Sequence, residues 1–450
     1  MQRDSIDFSS SDVGKLFRRF LFPTVMGMVF SAVFVITDGI FVGRGIGSDA
    51  LASVNIVAPL FTLGTGLGLM FGMGGSVVAS INLAQDKRRV AEINITQSLA
   101  LPALLIALLS ALLIHCHEPL LMLLGTPGEL MVPAREYLVW FTLFLAPLAV
   151  FNILMFIVRL DGAPGFAMAC NIMAACINIA LDYLFIFVFE WGLAGAAVAT
   201  GIGYVVGSGV MLWYMFRRSR TLRFVKLKMS GKSMRLTVRN LWYMSYIGFP
   251  ALLSELAISS LMIVGNYTFI HYVGKDGVAA YSIACYIFPI IFMVYNGIIQ
   301  SAQPIISYNF GAGVRERVIE AAQIALATAM VCGAAVTAVF IGSPRLLVGL
   351  FLDPATHAAR IAIEGLPWFA LGFICFIVNL TAIGYYQSLE RVGIASGFAL
   401  LRGFVFLVPS FLFMPRLCGT EGIWLAMPLS ELLTALVILG VSFWRRQRIG

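Results

Sequence analysis

Five charged side chains lie deep inside long apolar stretches of this 450-residue chain: Asp38, Asp182, Glu255, Arg402 and Glu431. A charge near the centre of a bilayer costs on the order of 3 kcal/mol, so it is expected where it binds an ion or substrate or pairs with another charge. These five residues are therefore the first candidates for chemistry.

Asp38 lies about five residues before the end of one predicted helix, and Asp182 about seven residues before the end of another. Both ends are assigned below to the outer side of the membrane, so the two acids share a depth. Thr200 reaches the same level, and Asn178 precedes Asp182 by four residues, which puts both on one helix face. Two carboxylates, an amide oxygen and a hydroxyl suit Na⁺, or form two adjacent acids of which one holds a proton. We predict a cation-coupling site here, the alternative being that each acid hydrogen-bonds a neighbouring helix.

The other three charges, Glu255, Arg402 and Glu431, are each predicted near the middle of their helices. A carboxylate and a guanidinium at one depth can neutralise each other as a structural ion pair. They can equally serve in substrate binding or gating, and the sequence leaves both interpretations open.

These residues must be positioned by membrane helices. The chain is 60% hydrophobic and only 12% charged, with a mean hydropathy of +0.93, whereas soluble domains carry about 25% charged residues. Twelve runs are long enough to cross about 30 Å of hydrocarbon, and they span residues 18–42, 50–80, 93–115, 137–158, 165–189, 193–216, 241–270, 277–309, 318–342, 362–388, 393–415 and 422–444. We predict an all-α integral membrane protein with twelve transmembrane helices.

The basic residues predict the orientation. With both termini in the cytoplasm, 23 Lys and Arg residues fall inside and six outside. The positive-inside rule then favours cytoplasmic termini and a multi-pass protein of the cell (inner) membrane. The net charge of +8 is thereby explained by contact with anionic lipid, without a nucleic-acid partner.

The chain also repeats itself at an offset of about 227 residues. Four landmarks recur in both halves: Pro23 with Pro250, Gly47-x-Asp49 with Gly274-x-Asp276, Ser80-x-Asn82 with Ser307-x-Asn309, and Gly192-x-x-Gly195 with Gly419-x-x-Gly422. An even number of helices per half makes this a parallel repeat, in which a substrate site lies between lobes that alternate in access. We predict two pseudo-symmetric six-helix lobes, an N-lobe at residues 1–215 and a C-lobe at 241–450, joined by a basic cytoplasmic linker at 216–240.

The sequence does not contain the motifs of several common kinds of site. Seven cysteines are scattered singly, which indicates neither disulfides nor a metal site, so Na⁺ at the coupling site is the one metal considered. No Walker, HExxH or GxSxG motif is present, which argues against an ATPase or a hydrolase. A membrane-embedded enzyme would need catalytic clusters, and a scaffold would leave the acids without a role. Six glycines of span 2, at positions 64, 66, 68, 72, 74 and 75, predict a close helix contact.

Over nearly its whole length the sequence resembles the multidrug and toxic compound extrusion (MATE) family. The resemblance is carried by Pro23, Asp38-Gly-Ile-Phe-Val-Gly-Arg-Gly-Ile-Gly, Gln303-Pro-Ile-Ile-Ser-Tyr-Asn-Phe-Gly-Ala-Gly, Asn178-x-x-x-Asp182 and Thr200. It implies an antiporter without cofactors, monomeric in the bilayer, that exports small, mainly cationic amphipathic drugs or toxic metabolites in exchange for H⁺ or Na⁺ by a rocker-switch motion.

The resemblance also implies residue roles. Asp38, Asn178, Asp182 and Thr200 match the family's N-lobe cation site, Pro23 the bend of helix 1, and Tyr137, Asn152 and Asn171 the polar lining of the N-lobe cavity. Glu255 resembles an acid used in one branch, but no acid occurs between Gly365 and Leu389, where that branch has its second. The alternative is a lipid-linked saccharide flippase of the same superfamily, whose large anionic substrates would favour more helices and a basic cavity.

Overall fold

The structure is a computed structural model that describes residues 8–124, 126, 128–228, 230–351, 353 and 355–447, with side chains except at 48 and 443–447. These residues form helices and connecting turns without a β-strand. Arg3 and Arg448, two of the 23 basic residues assigned to the cytoplasmic side, lie outside the described residues.

The first half of the chain contains six long helices. Their bounds are α1 Val13–Gly45, α2 Ser48–Ala84, α3 Arg88–His115, α4 Met131–Leu143 with Leu145–Leu160, α5 Pro164–Asp182 with a π-helical end Tyr183–Val188, and α6 Gly192–Arg217. The two parts of α4 meet at 44°. Pro147 explains the break, because it cannot donate a backbone hydrogen bond to the carbonyl of Leu143.

The second half repeats this order. Its helices are α7 Gly231–Tyr272, α8 Lys275–Gly311, α9 Arg315–Gly342, α10 His357–Ala370 with Gly372–Ser388, α11 at 392–418 and α12 at 420–447. Gly419, with φ 61°, separates α11 from α12. The parts of α10 meet at 45°, like those of α4. Within the described residues, the apolar helices thus make twelve spans, as the sequence predicted.

Helix α7 is longer than predicted. It begins at Gly231 rather than at residue 241, so the last ten residues of the basic linker are helical. Short helices His117–Leu123, Gly128–Leu130 and Pro344–Gly349 follow α3 and α9.

The helices pack into two compact units. The larger unit contains Met1–Leu252 and Pro304–Val318, and the smaller unit contains Leu253–Gln303 and Ile319–Gly450. Two apolar clusters form the core of the larger unit, one around Ile153 and Leu154 and the other around Leu138 and Leu145. In the smaller unit Phe376 is the centre of an aromatic cluster that includes Phe288, at 4.9 Å between ring centroids.

Glycines allow two close helix contacts in the larger unit. A Cβ at Gly74 of α2 would overlap the carbonyl of Met244 in α7, and a Cβ at Gly248 would overlap the carbonyl of Met70. The backbones of α2 and α7 therefore touch at a crossing that only glycine permits. Glycines of span 2 thus lie at close helix contacts, as predicted.

The segment that follows α6 is fixed to the larger unit by one carboxylate. Asp161, fully buried after α4, accepts hydrogen bonds from the backbone N–H groups of Arg220, Thr221 and Leu222 at 2.7–2.9 Å, and from the Tyr214 hydroxyl at 2.9 Å. Four donors satisfy this buried charge, as burial demands. The start of the linker is thus held against the end of α4.

Candidate cation-coupling site

Asp38 and Asp182 meet inside the larger unit. Asp182 is the last residue of α5 before its π-helical end and is fully buried. Asp38, in the second half of α1, lies against it, and their carboxyl groups are within hydrogen-bonding reach of each other. Two residues that are far apart in sequence thus form one acidic pair.

Three of the four carboxyl oxygens of this pair lack a hydrogen-bond donor among the described residues. No N–H or O–H of the described residues donates to either carboxyl oxygen of Asp182 or to Oδ1 of Asp38. A carboxylate is an acceptor only, so the two groups can hydrogen-bond each other only when one of them carries a proton. A buried carboxyl without a donor is costly, and a proton or a metal cation between the two acids would remove that cost.

Asn178 and Thr200 complete the site. Asn178 lies one turn before Asp182 on α5, and its Nδ2 donates to Oγ1 of Thr200 on α6 at 3.0 Å. Its Oδ1 has no donor among the described residues, and the Asn178 side chain also lies beside the Asp182 carboxyl. The amide therefore lies next to the acidic pair with one oxygen that has no hydrogen-bond donor among the described residues.

A small cavity of about 20 Å³ opens beside these residues, between α1, α5 and α6. This volume is enough for about one water molecule. Its lining residues are Ser31, Phe34, Asn171, Ala174, Ala175, Asn178, Thr200, Gly203 and Tyr204. A polar wall of hydroxyl and amide groups thus adjoins the acids, while alanines and Phe34 supply an apolar one.

Asn171 ties α1 to α5. Its Nδ2 donates to the carbonyl of Gly27 at 2.8 Å and to Oγ of Ser31 at 2.8 Å. A Cβ at Gly27 would stand 3.3 Å from that nitrogen, so glycine gives the amide room to approach. Pro23 lies one turn earlier, within a helix that runs unbroken from Val13 to Gly45.

The remaining predicted cavity residues are in different settings. Tyr137 is buried and stacks on Phe141 at 5.8 Å, within electrostatic range of both acids. Asn152 donates to the carbonyl of Leu148 in its own helix at 3.1 Å. Tyr204 was missed from the sequence, although it lies four residues after Thr200 and therefore on the same face of α6.

The second group of charges lies in the smaller unit. Arg402 binds Glu431 with Nη2 to Oε1 at 2.8 Å, and Asn379 Nδ2 donates to the other oxygen, Oε2, at 2.7 Å. The Arg402 guanidinium also lies 4.5 Å from the centre of the Phe376 ring. Glu255 forms no ion pair among the described residues, so the structure brings together two of the three predicted charges.

The described residues contain no group of three or more His, Cys, Asp or Glu side chains that could hold a metal ion. A site for a monovalent cation would instead rely on the two carboxyl groups and the amide and hydroxyl oxygens around them.

The chain has twelve spans in two repeated halves, and the first half contains a pair of acids within the membrane region. These features define a polytopic membrane transporter. The MatE family model matches residues 23–184 and again residues 250–411, the second match beginning and ending 227 residues after the first. The repeat seen in the sequence is thereby confirmed. The chain belongs to the MatE family, whose members are secondary transporters and not enzymes.

Curated relatives align over almost the whole chain. The chain is 28% identical over 455 residues to "Multidrug export protein MepA" of Staphylococcus saprophyticus, covering 98% of this chain and 96% of the relative. It is 27% identical over 460 residues to the protein of the same name from Staphylococcus aureus, with the same coverage.

Solved structures share the fold. One, titled "Outward-facing conformation of a multidrug resistance MATE family transporter of the MOP superfamily", superposes with a TM-score of 0.90 at 22% identity, covering 100% of this chain and 98% of the other. A second, a MOP superfamily transporter from Pyrococcus furiosus described as having a binding pocket of reverse polarity, gives a TM-score of 0.89 at 21% identity, with 99% of both chains covered.

Proposed function

We propose that the protein is a secondary active antiporter that exports small amphipathic, mainly cationic compounds in exchange for H⁺ or Na⁺. The observation that carries the proposal is the contact between Asp38 and Asp182, since three of their four carboxyl oxygens lack donors among the described residues. The names of the staphylococcal relatives, multidrug export proteins, support the export role.

The acidic pair supplies a means of exchange. Two ionised carboxylates in contact repel each other in surroundings of low dielectric constant, so the pair requires a positive charge. A proton, Na⁺ or a cationic substrate can supply that charge. Binding of one then disfavours binding of another, and a gradient of H⁺ or Na⁺ can drive the substrate out.

Helix α1 is the element through which such competition can act. It carries Asp38 and is attached to α5 through Asn171, Gly27 and Ser31. A change of charge at Asp38 therefore alters the forces between α1 and α5, and Pro23 is a point where a helix bends at reduced cost, because its nitrogen bears no hydrogen. We propose that ion entry bends α1 there and reshapes the cavity beside Phe34 and Tyr204.

The membrane arrangement of the proposal follows from charge and repeat. The ratio of 23 to six basic residues supports cytoplasmic termini in the cell membrane. The parallel repeat supports a rocker-switch exchange between a 1–215 N-lobe and a 241–450 C-lobe, with the 216–240 linker between them. The transporter is proposed to act as a monomer.

Transport in proteoliposomes tests the function, with pH and Na⁺ gradients imposed separately on a fluorescent organic cation. The protein is expected to move the cation against its gradient with one of the two. Asp182→Asn should abolish gradient-driven efflux, since an amide keeps the size of the carboxyl but exchanges no charge. Glu136→Gln, which removes an exposed acid, is the matched control and should transport normally. Full efflux by Asp182→Asn would remove the acid from the mechanism.

A further inference from the structure

One surface outside the proposed transport machinery combines strong positive charge with apolar side chains. It lies on the first part of α7, where an open groove of about 650 Å³ is lined by Lys232, Arg235, Leu236, Val238, Arg239 and Trp242. We name this surface the α7 basic groove. We propose that it binds the headgroup and upper acyl region of one anionic phospholipid of the surrounding leaflet.

The orientation of this part of α7 is fixed by its other face. Thr237 accepts a hydrogen bond from Nε2 of Gln97 in α3 at 2.8 Å, and Asn240 Nδ2 donates to Oδ1 of Asn94 at 2.7 Å. One turn further, Met244 is buried against Gly74. The side chains of the groove therefore cannot turn inward, and they point away from the larger unit.

The three cations of the groove lack an acidic partner among the residues that the structure describes. Lys232, Arg235 and Arg239 are exposed, and none of them appears in an ion pair with a described residue. The segment from residue 216 to 240 contains nine basic residues and no acidic one. Such a group of like charges creates a positive potential that attracts anions from outside the chain.

The order of side chains along the exposed stripe matches a membrane interface. Arg235, Arg239, Trp242 and Tyr246 are spaced by four, three and four residues and so lie on one face. Trp242 is 75% exposed and Tyr246 is 50% exposed. Exposed Trp and Tyr side chains of membrane helices are enriched at the level of the lipid headgroups. From the start of α7 onward, the exposed side chains are thus first basic, then aromatic with a polar group, and at Phe249 fully apolar.

The distances agree with this placement. Helix α7 has 42 residues, so it is about 63 Å long, whereas about 20 residues cross the hydrocarbon. Arg239 and Arg235 precede Trp242 by three and seven residues, or about 5 and 10 Å. They therefore lie at and just beyond the phosphate level, which Lys232 reaches with its long side chain.

The occupant must be both anionic and amphipathic. Leu236, Val238 and Trp242 line the groove together with the cations, and a small inorganic anion would leave these apolar groups in water. An anionic phospholipid satisfies both parts, because its phosphate meets the cations and its glycerol and chains cover the apolar residues. A basic stripe next to a membrane span favours anionic lipid in this way.

Native mass spectrometry of the full-length protein tests the site, with dioctanoyl-phosphatidylglycerol and dioctanoyl-phosphatidylcholine as probes. The phosphatidylglycerol is expected to bind about tenfold more tightly or better, and the triple variant Lys232→Gln/Arg235→Gln/Arg239→Gln to lose about that factor. The matched control is Arg223→Gln/Lys226→Gln/Lys228→Gln, which removes three exposed cations of the same linker and should leave the affinity within about twofold.

A second variant separates the lipid from a free anion. Trp242→Ala keeps all three charges and is expected to weaken phosphatidylglycerol binding about threefold or more. Equal losses in the control triple variant, equal affinity for phosphatidylcholine, or displacement of the lipid by inorganic phosphate would each overturn the proposal. The outcome is independent of transport activity, so it does not depend on the antiport mechanism.

Discussion

The guanidinium of Arg402 and the carboxylate of Glu431 form an ion pair in which both side chains are almost completely buried, 4% and 3% exposed, with Nη2 and Oε1 2.8 Å apart. Every other ion pair among the described residues has at least one partner that is more than half exposed. Exposed pairs contribute little, about 0–1 kcal/mol, whereas loss of one member of a buried pair leaves an uncompensated charge.

Arg402→Ala is therefore expected to destabilise the protein by about 3–5 kcal/mol, because it leaves the Glu431 carboxylate buried without its cation. Glu431→Gln should cost less, since an amide oxygen still accepts from the guanidinium, which also lies over the Phe376 ring. Thermal unfolding in detergent measures both.

The double variant Arg402→Met/Glu431→Leu is the control for that pair. Replacing both charges by apolar groups of similar volume should recover most of the stability. If Arg402→Ala unfolded at the wild-type temperature and lost only transport, the pair would belong to the transport mechanism and not to the fold.

Thr200→Val is expected to weaken binding of the coupling ion while leaving insertion intact. The substitution removes the acceptor of the Asn178 amide, whose Oδ1 already lacks a donor among the described residues. The freed N–H can then turn to the Asp182 carboxylate and stabilise its ionised form without the ion.

The concentration of H⁺ or Na⁺ that gives half-maximal transport should shift about tenfold, the effect of about 1.4 kcal/mol. Thr200→Ser keeps the hydroxyl and should behave like the wild type. Normal ion dependence in Thr200→Val together with impairment in Thr200→Ser would show that the methyl group of Thr200, and not its oxygen, matters.

Asp161→Asn should loosen the start of the linker. The neutral amide has one acceptor oxygen in place of two charged ones, and four donors compete for it. Trypsin should therefore cleave at Arg220 and Arg223 about tenfold faster or more, because the opening free energy of this segment falls by at least about 1.4 kcal/mol. Tyr214→Phe removes one donor of the four and should have a smaller effect. Unchanged cleavage of Asp161→Asn would mean that other contacts hold the linker.

Gly248→Ala tests the crossing of α2 and α7. The added methyl group would overlap the carbonyl of Met70, which forces the helices apart at a cost of about 1–3 kcal/mol. Gly209→Ala in α6, where a Cβ meets nothing within 4 Å, should be neutral or slightly stabilising. Thermal unfolding of the two variants, side by side, distinguishes helix contact from helix propensity. Equal behaviour would contradict the close crossing.

Much of the fold could be predicted from the sequence because a bilayer leaves few choices. Every span needs a long apolar run, and the repeat at 227 residues identified matching landmarks in both halves. The bounds could not be predicted equally well. The polar start of α7 carries no apolar run, and its helical conformation depends on Thr237 and Asn240 packing on α3, which is a tertiary contact.

The candidate site was predictable in part for a similar reason. Helix rise suffices to place Asp38 and Asp182 at a common depth, and a spacing of four residues suffices to place Asn178 and Asp182 on one helix face. Depth alone does not give the rotation of a helix about its axis, so the sequence did not show that the face of α6 with Thr200 and Tyr204 turns toward α1 and α5. For the same reason, Glu255 could not be told from Glu431 as the partner of Arg402. Asn379, which holds that carboxylate, has no charge and gave no signal.

The π-helical segments at the end of α5 and in the middle of α11 have a consequence for how the protein can change. Residues 183–188 directly follow Asp182, and residues 401–405 contain Arg402. A π turn holds more residues than an α turn, so the faces of the helix before and after it are not in register. Phe185 can therefore stack on Trp191, 4.7 Å away, without setting the angle at which Asp182 meets Asp38. Substitutions, or even a one-residue insertion, beyond the turn can remodel the aromatic end of α5 while the carboxyl keeps its direction.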